Sequence, residues 1–424
     1  MTGATGTIDL PVEAPVVPLA PVALYVHFPF CVSICPYCDF VVMAGAEARG
    51  PANRIAAFVA ALRSELGLRA DALDERFGSP DAPGRPKLGS LYLGGGTPSL
   101  LPADEIAGLV ELVEERFGLA PGAEVTLEAN PGPDERGDAA AQHRAGVTRL
   151  SIGAQSGIPS ELRRLGRRHR PSDVGAAVAA GREGGVGSIS LDLLYDIPDQ
   201  SIATWMVSLE EALTLAPDHL SLYALTLDDP DAEGLTGPDG DHLPTRRGAR
   251  RWRDEARPAQ DDDRAAAMYH HAVVRLAEDG WRGYEISNWA RPGHESRHNL
   301  AYWQRLPYEA VGPGAHAFDG STRRWNAARL DSYVAALTPP DGSTPRLPPG
   351  GGETIDAATA ASEAIVLGLR TADGVATAVL DDASVGEAFA WARELQLVTF
   401  DPDDRIRLTT RGRLLSNELF ARLI

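Results

Sequence analysis

Cysteine, positive charge and long apolar runs are all scarce in this sequence. Its 424 residues include only three cysteines, and these fall within the eight-residue segment from Cys31 to Cys38. A secreted disulfide scaffold has an even number of cysteines spread along a short chain. The odd, clustered set therefore indicates metal or redox chemistry in a reducing compartment.

The shortage of positive charge limits the partners. Lys and Arg total 40 against 59 Asp and Glu, a net charge of −19, which disfavours nucleic acid and anionic membranes. No run of about eighteen apolar residues is present, so we expect no membrane span. We predict a cytoplasmic protein that associates with membranes only peripherally, through an acceptor protein.

The first residues lack the basic and apolar regions of a signal peptide. Pro11, Pro15, Pro18 and Pro21 interrupt any helix in this segment. We predict a flexible leader over residues 1–21.

Strand-like and helix-like segments alternate through the following two hundred residues. Candidate strands cover residues 23–28, 90–93, 124–127, 149–153, 188–194 and 219–225. Candidate helices cover residues 52–68, 103–117, 172–184 and 202–215, with apolar residues at three- and four-residue spacing. This order is typical of an α/β fold with a parallel sheet, and six βα units predict a partial (βα)6-type barrel.

Polar and glycine-rich segments follow each candidate strand. They are the cysteine loop, Gly94–Pro98, Glu128–Pro131, Gln155, Asp192 and Thr226. Loops at the carboxyl ends of parallel strands face one cavity, so we expect these segments to meet there.

The chain divides into a core over residues 22–340 and a C-terminal domain over residues 341–424. The core has a charged insertion at about residues 228–263, without apolar periodicity. Its arginine run at 246–252 fits a solvated loop better than a partner-binding patch. After the Pro-rich stretch 339–349, the pattern of helices and a hairpin over 401–404 predicts a winged-helix-like α+β domain.

The spacing of Cys31, Cys35 and Cys38 brings three soft thiolate ligands together. Such ligands suit an iron–sulfur cluster or zinc. Three thiolates leave the fourth iron of a cubane open, and an amino acid can chelate that iron. The alternative is a zinc site completed by His27 or a distant histidine, but no second ligand pair at regular spacing is visible.

The CxxxCxxC loop after a strand, followed by Gly94-Gly95-Gly96-Thr97-Pro98, resembles the radical S-adenosylmethionine superfamily. Further segments resemble the oxygen-independent coproporphyrinogen III oxidase group: 25–31, 128–131, 149–156, 165–167, 192–195 and 411–415. The resemblance covers residues 23–424 nearly continuously. It implies a [4Fe–4S] cluster on the three cysteines and S-adenosylmethionine on the open iron.

Two activities occur in this group, a porphyrinogen decarboxylase and a related haem chaperone. The decarboxylase pattern has a further cysteine where this sequence has Phe40. The segments 284–289 and 298–303, the latter an HNxxYW motif, resemble the chaperone. We therefore expect haem binding and delivery, with coproporphyrinogen decarboxylation as the alternative. Delivery implies a haem-acceptor protein as a partner, and the cluster implies an electron donor.

The resemblance also implies the residues that surround the cofactor. They are Tyr25, Tyr37, Gly95, Gly96, Thr97, Glu128, Gln155, Arg167, Asp192, Thr226 and Phe318. A structural reason for Asp192 inside an apolar strand is hard to find. Arg167 lies in an arginine-rich helix and fits a solvated position equally well.

Haem requires an apolar pocket and usually an axial His, Cys, Met or Tyr. With the cysteines assigned to the cluster, His298 is the first candidate and His316 the second, although a lone histidine more often has a hydrogen-bonded packing role. His27 is expected beside the cluster as a hydrogen-bond donor.

Overall fold

The fold is taken from a computed structural model that describes residues 17–44, 54–227 and 230–424. Most of the predicted leader lies outside these residues. Its last part is held against the main sheet, since the Leu19 amide donates to the Asp319 carbonyl and the Val22 amide to the Pro307 carbonyl.

Six parallel strands form the central part of the fold and confirm the predicted α/β architecture. They are β1 Ala23–Phe28, β2 Leu88–Gly95, β3 Leu119–Ala129, β4 Arg149–Gln155, β5 Ser188–Tyr195 and β6 His219–Ala224. Each pairs with the next in chain order. Residues on both faces of β1 are buried, as expected for a sheet that helices cover.

Further strands extend this sheet at both edges. They are β7 Arg282–Gly283, β8 Asn288–Ala290, β9 Tyr308–Val311, β10 His316–Phe318, β11 Thr322–Asn326 and β12 Gly350–Thr354. Within the described residues the sheet has twelve strands in the order β12-β11-β10-β9-β1-β2-β3-β4-β5-β6-β8-β7. β9 pairs parallel to β1 and β8 antiparallel to β6. Because the edge strands β12 and β7 do not pair with each other within the described residues, the barrel stays open.

Helices of the core pack around the sheet. They are α1 Arg54–Phe77, α2 Ala103–Phe117, α3 Ala139–Arg144, α4 Pro159–Arg164, α5 Pro171–Glu183, α6 Ile202–Thr214, α7 Arg247–Ala256, α8 Asp262–Glu278, α9 Arg297–Trp303 and α10 Leu330–Leu337. In α2, Ile106, Val110, Val113 and Phe117 are buried at helical spacing. None of the helices among the described residues is long and apolar enough to cross a membrane.

The charged insertion differs from the loop expected from its composition. Residues 228–229 lie outside the described part, but the arginine run enters α7, a regular helix. Arg253 on this helix is only 4% exposed. The arginines of the run itself, Arg246, Arg247, Arg250 and Arg251, are exposed. The run is therefore solvated as expected, but it is helical and not a loop, and α7 buries Arg253 and Ala256.

The C-terminal domain begins later than the Pro-rich stretch indicated. Because β12 still pairs with β11, the main sheet continues to Thr354 and the boundary follows it. Beyond it, α11 Ala357–Arg370, α12 Ala383–Glu394, α13 Thr410–Leu414 and α14 Ser416–Phe420 surround a second core. A sheet of β13 Val375–Ala376, β15 Arg405–Leu408 and β14 Val398–Asp401 completes the helix-and-hairpin pattern.

Candidate functional site

A cavity of about 670 Å³ opens at the carboxyl ends of the barrel strands. It collects most of the residues that the sequence placed around the cofactor. Those that line it are Cys31, Cys35, Tyr37, Cys38, Gly95, Gly96, Glu128, Gln155, Arg167, Asp192 and Thr226. Residues far apart in the chain thus meet in one space because most of them follow or end a parallel strand.

The three thiols lie close enough to influence one another. Cys31 accepts a hydrogen bond from Thr97 Oγ1 at 3.5 Å, which places Thr97 beside the cysteines. Burial, opposed by the Thr97 hydrogen bond and assisted by the neighbouring Cys35, raises the pKa of the Cys31 thiol to about 11. Burial, followed by Cys35 and Cys31, raises the pKa of Cys38. The thiols of Cys31 and Cys38 are therefore protonated until a metal displaces their protons.

Helix α7 holds the cysteine loop from outside. Arg253 Nε donates to the Pro36 carbonyl at 3.2 Å, and its Nη2 donates to the Cys38 carbonyl at 3.1 Å. The same guanidinium pairs with Asp39. This contact could not be predicted from the composition of the charged insertion, which indicated a solvated loop.

The glycine run fits closely against β1. Gly95 has a φ of +105°, and a Cβ there would lie 2.5 Å from the His27 ring. A Cβ on Gly96 would lie 2.6 Å from the Phe30 carbonyl oxygen. The structural role of this turn is thus established, while both residues also line the cavity.

Glu128 is held at the end of β3 by two donors. Tyr92 OH donates to its Oε1 at 2.8 Å, and the Gly95 amide donates to its Oε2 at 2.9 Å. Burial raises the pKa of this carboxyl to about 7, although both hydrogen bonds oppose the shift. Glu128 can therefore change its charge near neutral pH. Tyr92 was not among the residues expected here.

Asp192 lies deeper in the cavity and is satisfied by hydroxyls. Ser151 Oγ lies 3.2 and 3.1 Å from its two carboxylate oxygens. Burial raises the pKa of Asp192, while hydrogen bonds from Ser221 and Ser151 lower it. Asp192 is tolerated in an otherwise apolar strand because its side chain lines the cavity, where polar neighbours contact it.

Arg167 lines the cysteine cavity and is not a solvated surface residue. Its Nη1 lies 3.7 Å from Cys35 Sγ, and its Nη2 donates to the Gly153 carbonyl at 2.8 Å and to Asn130 Oδ1 at 2.5 Å. Asn130 also donates to Thr97 Oγ1 at 3.0 Å. The amide of Asn130 thus links the guanidinium to the glycine turn.

Tyr25 and Phe318 lie elsewhere. Tyr25 borders a second cavity of about 290 Å³, and its OH lies 3.0 Å from His27 Nδ1. Phe318 contacts Tyr308, with 6.3 Å between ring centroids, and stacks under Arg305 at 4.6 Å. The structure thus places Phe318 away from the cysteine cavity.

The two histidines expected near cofactors are already hydrogen-bonded. Because His27 Nε2 lies 2.8 Å from the Val41 carbonyl, it must donate there, and Nδ1 accepts from Tyr25. His27 donates to a backbone carbonyl instead of to the cluster thiols. His298 is 1% exposed and lies 2.9 Å from Ser90 Oγ and 2.7 Å from Tyr302 OH. Both of its ring nitrogens are engaged, which disfavours axial ligation of haem.

The donor set fits an iron–sulfur cluster better than zinc. Three thiols from one loop share the cavity with backbone and polar groups, whereas His27 has no ring nitrogen left for a fourth zinc ligand. Among residues 17–44, 54–227 and 230–424, no group of three or more His, Cys, Asp or Glu side chains is arranged for a single metal ion.

Comparison with known proteins agrees with this geometry. Residues 25–212 match the family model described as the radical SAM superfamily. The chain is 36% identical to the haem chaperone HemW of Mycobacterium tuberculosis (strain CDC 1551 / Oshkosh) over 98% of both chains. It is also 36% identical to HemW of Escherichia coli (strain K12), over 71% of each.

One solved structure shares the whole fold. Coproporphyrinogen III oxidase (HemN) from Escherichia coli aligns with a TM-score of 0.74, covering 96% of this chain and 91% of that one. The sequence identity is 22%, so this likeness concerns the fold.

Proposed function

The chain belongs to the HemW family of haem chaperones within the radical SAM superfamily, and on this premise we propose that it binds haem and delivers it to an acceptor protein. The likeness to Mycobacterium tuberculosis HemW along both chains carries this proposal. Phe40 supports it, because the decarboxylase pattern has a cysteine at that position.

Cys31, Cys35 and Cys38 are proposed as the ligands of a [4Fe–4S] cluster with S-adenosylmethionine on its open iron. When bound, these groups supply one-electron cleavage of the sulfonium. The three thiols provide soft ligands, and Thr97 and Arg167 donate hydrogen bonds to two of them.

The remaining cavity residues bind and orient the organic part of the cofactor. Glu128 accepts hydrogen bonds from ammonium or hydroxyl groups, and its ionised form attracts a cation. Gln155 and Asp192 offer polar groups farther along the cavity. Tyr37 and Thr226 line its walls, and Gly95 and Gly96 keep the main chain accessible.

Haem delivery requires partners that this chain does not contain. We propose a haem-acceptor protein and an electron donor for the cluster. The net charge of −19 favours partners with a basic docking surface.

The proposal is tested by titrating haem into the anaerobically reconstituted protein and recording the absorption spectrum. We expect saturable binding at a defined stoichiometry, together with about four irons per chain. The matched control is the variant with Cys31, Cys35 and Cys38 all changed to Ala, which should lose the iron. Failure of the reconstituted protein to bind haem would refute the function.

A further inference from the structure

The second cavity lies directly beside the cysteine cavity. Asp39 and Phe40 line both spaces, so the end of the cysteine loop separates them. The second cavity also contains His242 and His316, which come from the charged insertion and from β10. Nothing in the cofactor site described above uses these two histidines.

The hydrogen bonds of His242 leave a metal-binding nitrogen available. Its Nδ1 lies 2.9 Å from Asp241 Oδ1, and an ionised carboxylate can only accept, so Nδ1 carries the hydrogen. Metal-ligating histidines commonly donate one ring N–H to a carboxylate, which fixes the tautomer and makes the other nitrogen more basic. Nε2 of His242 is therefore suited to ligate iron.

The support of His242 is anchored to the main sheet. His316 Nε2 donates to Asp241 Oδ2 at 2.7 Å, and its ring stacks on Trp325 with 5.8 Å between centroids. The Gly240 carbonyl accepts from the Ala328 amide at 2.8 Å. His242 is thus held in place through Asp241 and His316, although it lies in the charged insertion.

Aromatic side chains cover much of the remaining wall. Tyr25, Phe40, Tyr302 and Tyr308 line the cavity, and Phe40 is 64% exposed at its rim. Flat aromatic surfaces suit a planar apolar ligand. The volume of about 290 Å³ lies just below the range of ligand cavities, roughly 300–1,000 Å³, so only part of a macrocycle fits inside. The rest of a macrocycle held here would remain exposed at the rim.

We propose that this second cavity is the haem site and that His242 Nε2 is the axial ligand of the iron. The inference rests on the proposed haem-handling function and assigns it a location. Asp241 orients the ligand, His316 fixes Asp241, and Phe40 contacts the macrocycle next to the cofactor cavity. His316 is less suited as the ligand, because its Nε2 is bound to Asp241 and only the more crowded Nδ1 remains.

The test compares haem titrations of the full-length wild type and His242→Ala by absorption and electron paramagnetic resonance. Loss of the axial ligand should weaken binding by about tenfold or more and change the spin state of the iron. Added imidazole should restore the wild-type spectrum. His270→Ala, an exposed histidine on α8, is the matched control and should behave as wild type.

Asp241→Asn provides a second variant that preserves the shape of the site. It should bind haem more weakly than wild type and retain histidine ligation. Wild-type affinity and spectrum in His242→Ala, with circular dichroism unchanged, would overturn the assignment, as would loss of ligation in His316→Ala alone. A wild type that binds no haem would instead refute the proposed function itself.

Discussion

Replacing Arg253 by Ala should loosen the cysteine loop more than any surface change on the same helix. The side chain is buried and donates to the carbonyls of Pro36 and Cys38. Hydrogen bonds from a charged donor contribute about 1.5 kcal/mol or more each. Losing two should cost about 3 kcal/mol, which corresponds to an increase of about 100-fold in the population of the opened loop.

Amide hydrogen exchange over residues 31–40 measures this opening directly. Arg251→Ala is the matched control, because that side chain lies on the same helix, is 81% exposed and pairs with Glu255. Exchange should accelerate in Arg253→Ala and stay at the wild-type rate in the control. Equal exchange in the two variants would refute the claim that α7 holds the loop.

Three further changes test the site. In urea unfolding, Gly95→Ala should lower the free energy of unfolding by about 3 kcal/mol, because backbone strain and the contact with His27 add. Gly84→Ala is the control, since its φ is +96° and a Cβ there would meet nothing within 4 Å. It should show only the cost of the strain. The pKa of Glu128 in the folded protein is about 7, above the ordinary value of 4.5. The free energy of unfolding should therefore fall by about 3 kcal/mol as the pH rises from 4.5 to 7, because the unfolded chain loses this proton first. Glu128→Gln should flatten that pH profile, and an unchanged slope would contradict the shift. His298→Ala should lower the melting temperature, since it deprives two buried hydroxyls of their partner, yet preserve the spectrum of bound haem; a changed axial signal would restore His298 as a ligand.

The sequence was sufficient for the family and the barrel because both depend on local signals. Alternating strand and helix patterns predicted the parallel sheet, and the cysteine spacing with the glycine turn predicted the superfamily. The rule that strand ends share a cavity also anticipated that Glu128, Gln155 and Asp192 would lie near the cysteines. Their roles toward the cofactor stay predictions.

Other features depend on long-range packing that no local pattern encodes. In the sequence, Arg253 is one more arginine in a charged run. Only the packing of α7 on the cysteine loop distinguishes it from the others. The sequence motif favoured His298 as a haem ligand. Its hydroxyl partners, Ser90 on β2 and Tyr302 on α9, are recognisable only in the folded structure. The domain boundary was placed too early, at the Pro-rich stretch. β12 is mostly glycine and has no strand pattern of its own, because its strand structure comes from pairing with β11.

We expect this chain to handle haem and not to decarboxylate porphyrinogens. The most direct measurement incubates the anaerobically reconstituted protein with S-adenosylmethionine, a reductant and either haem or coproporphyrinogen III, and records bound haem and released carbon dioxide. We predict tight haem binding and no carbon dioxide above that of the variant lacking the three cysteines. Sustained release of carbon dioxide from coproporphyrinogen, without haem binding, would contradict this prediction.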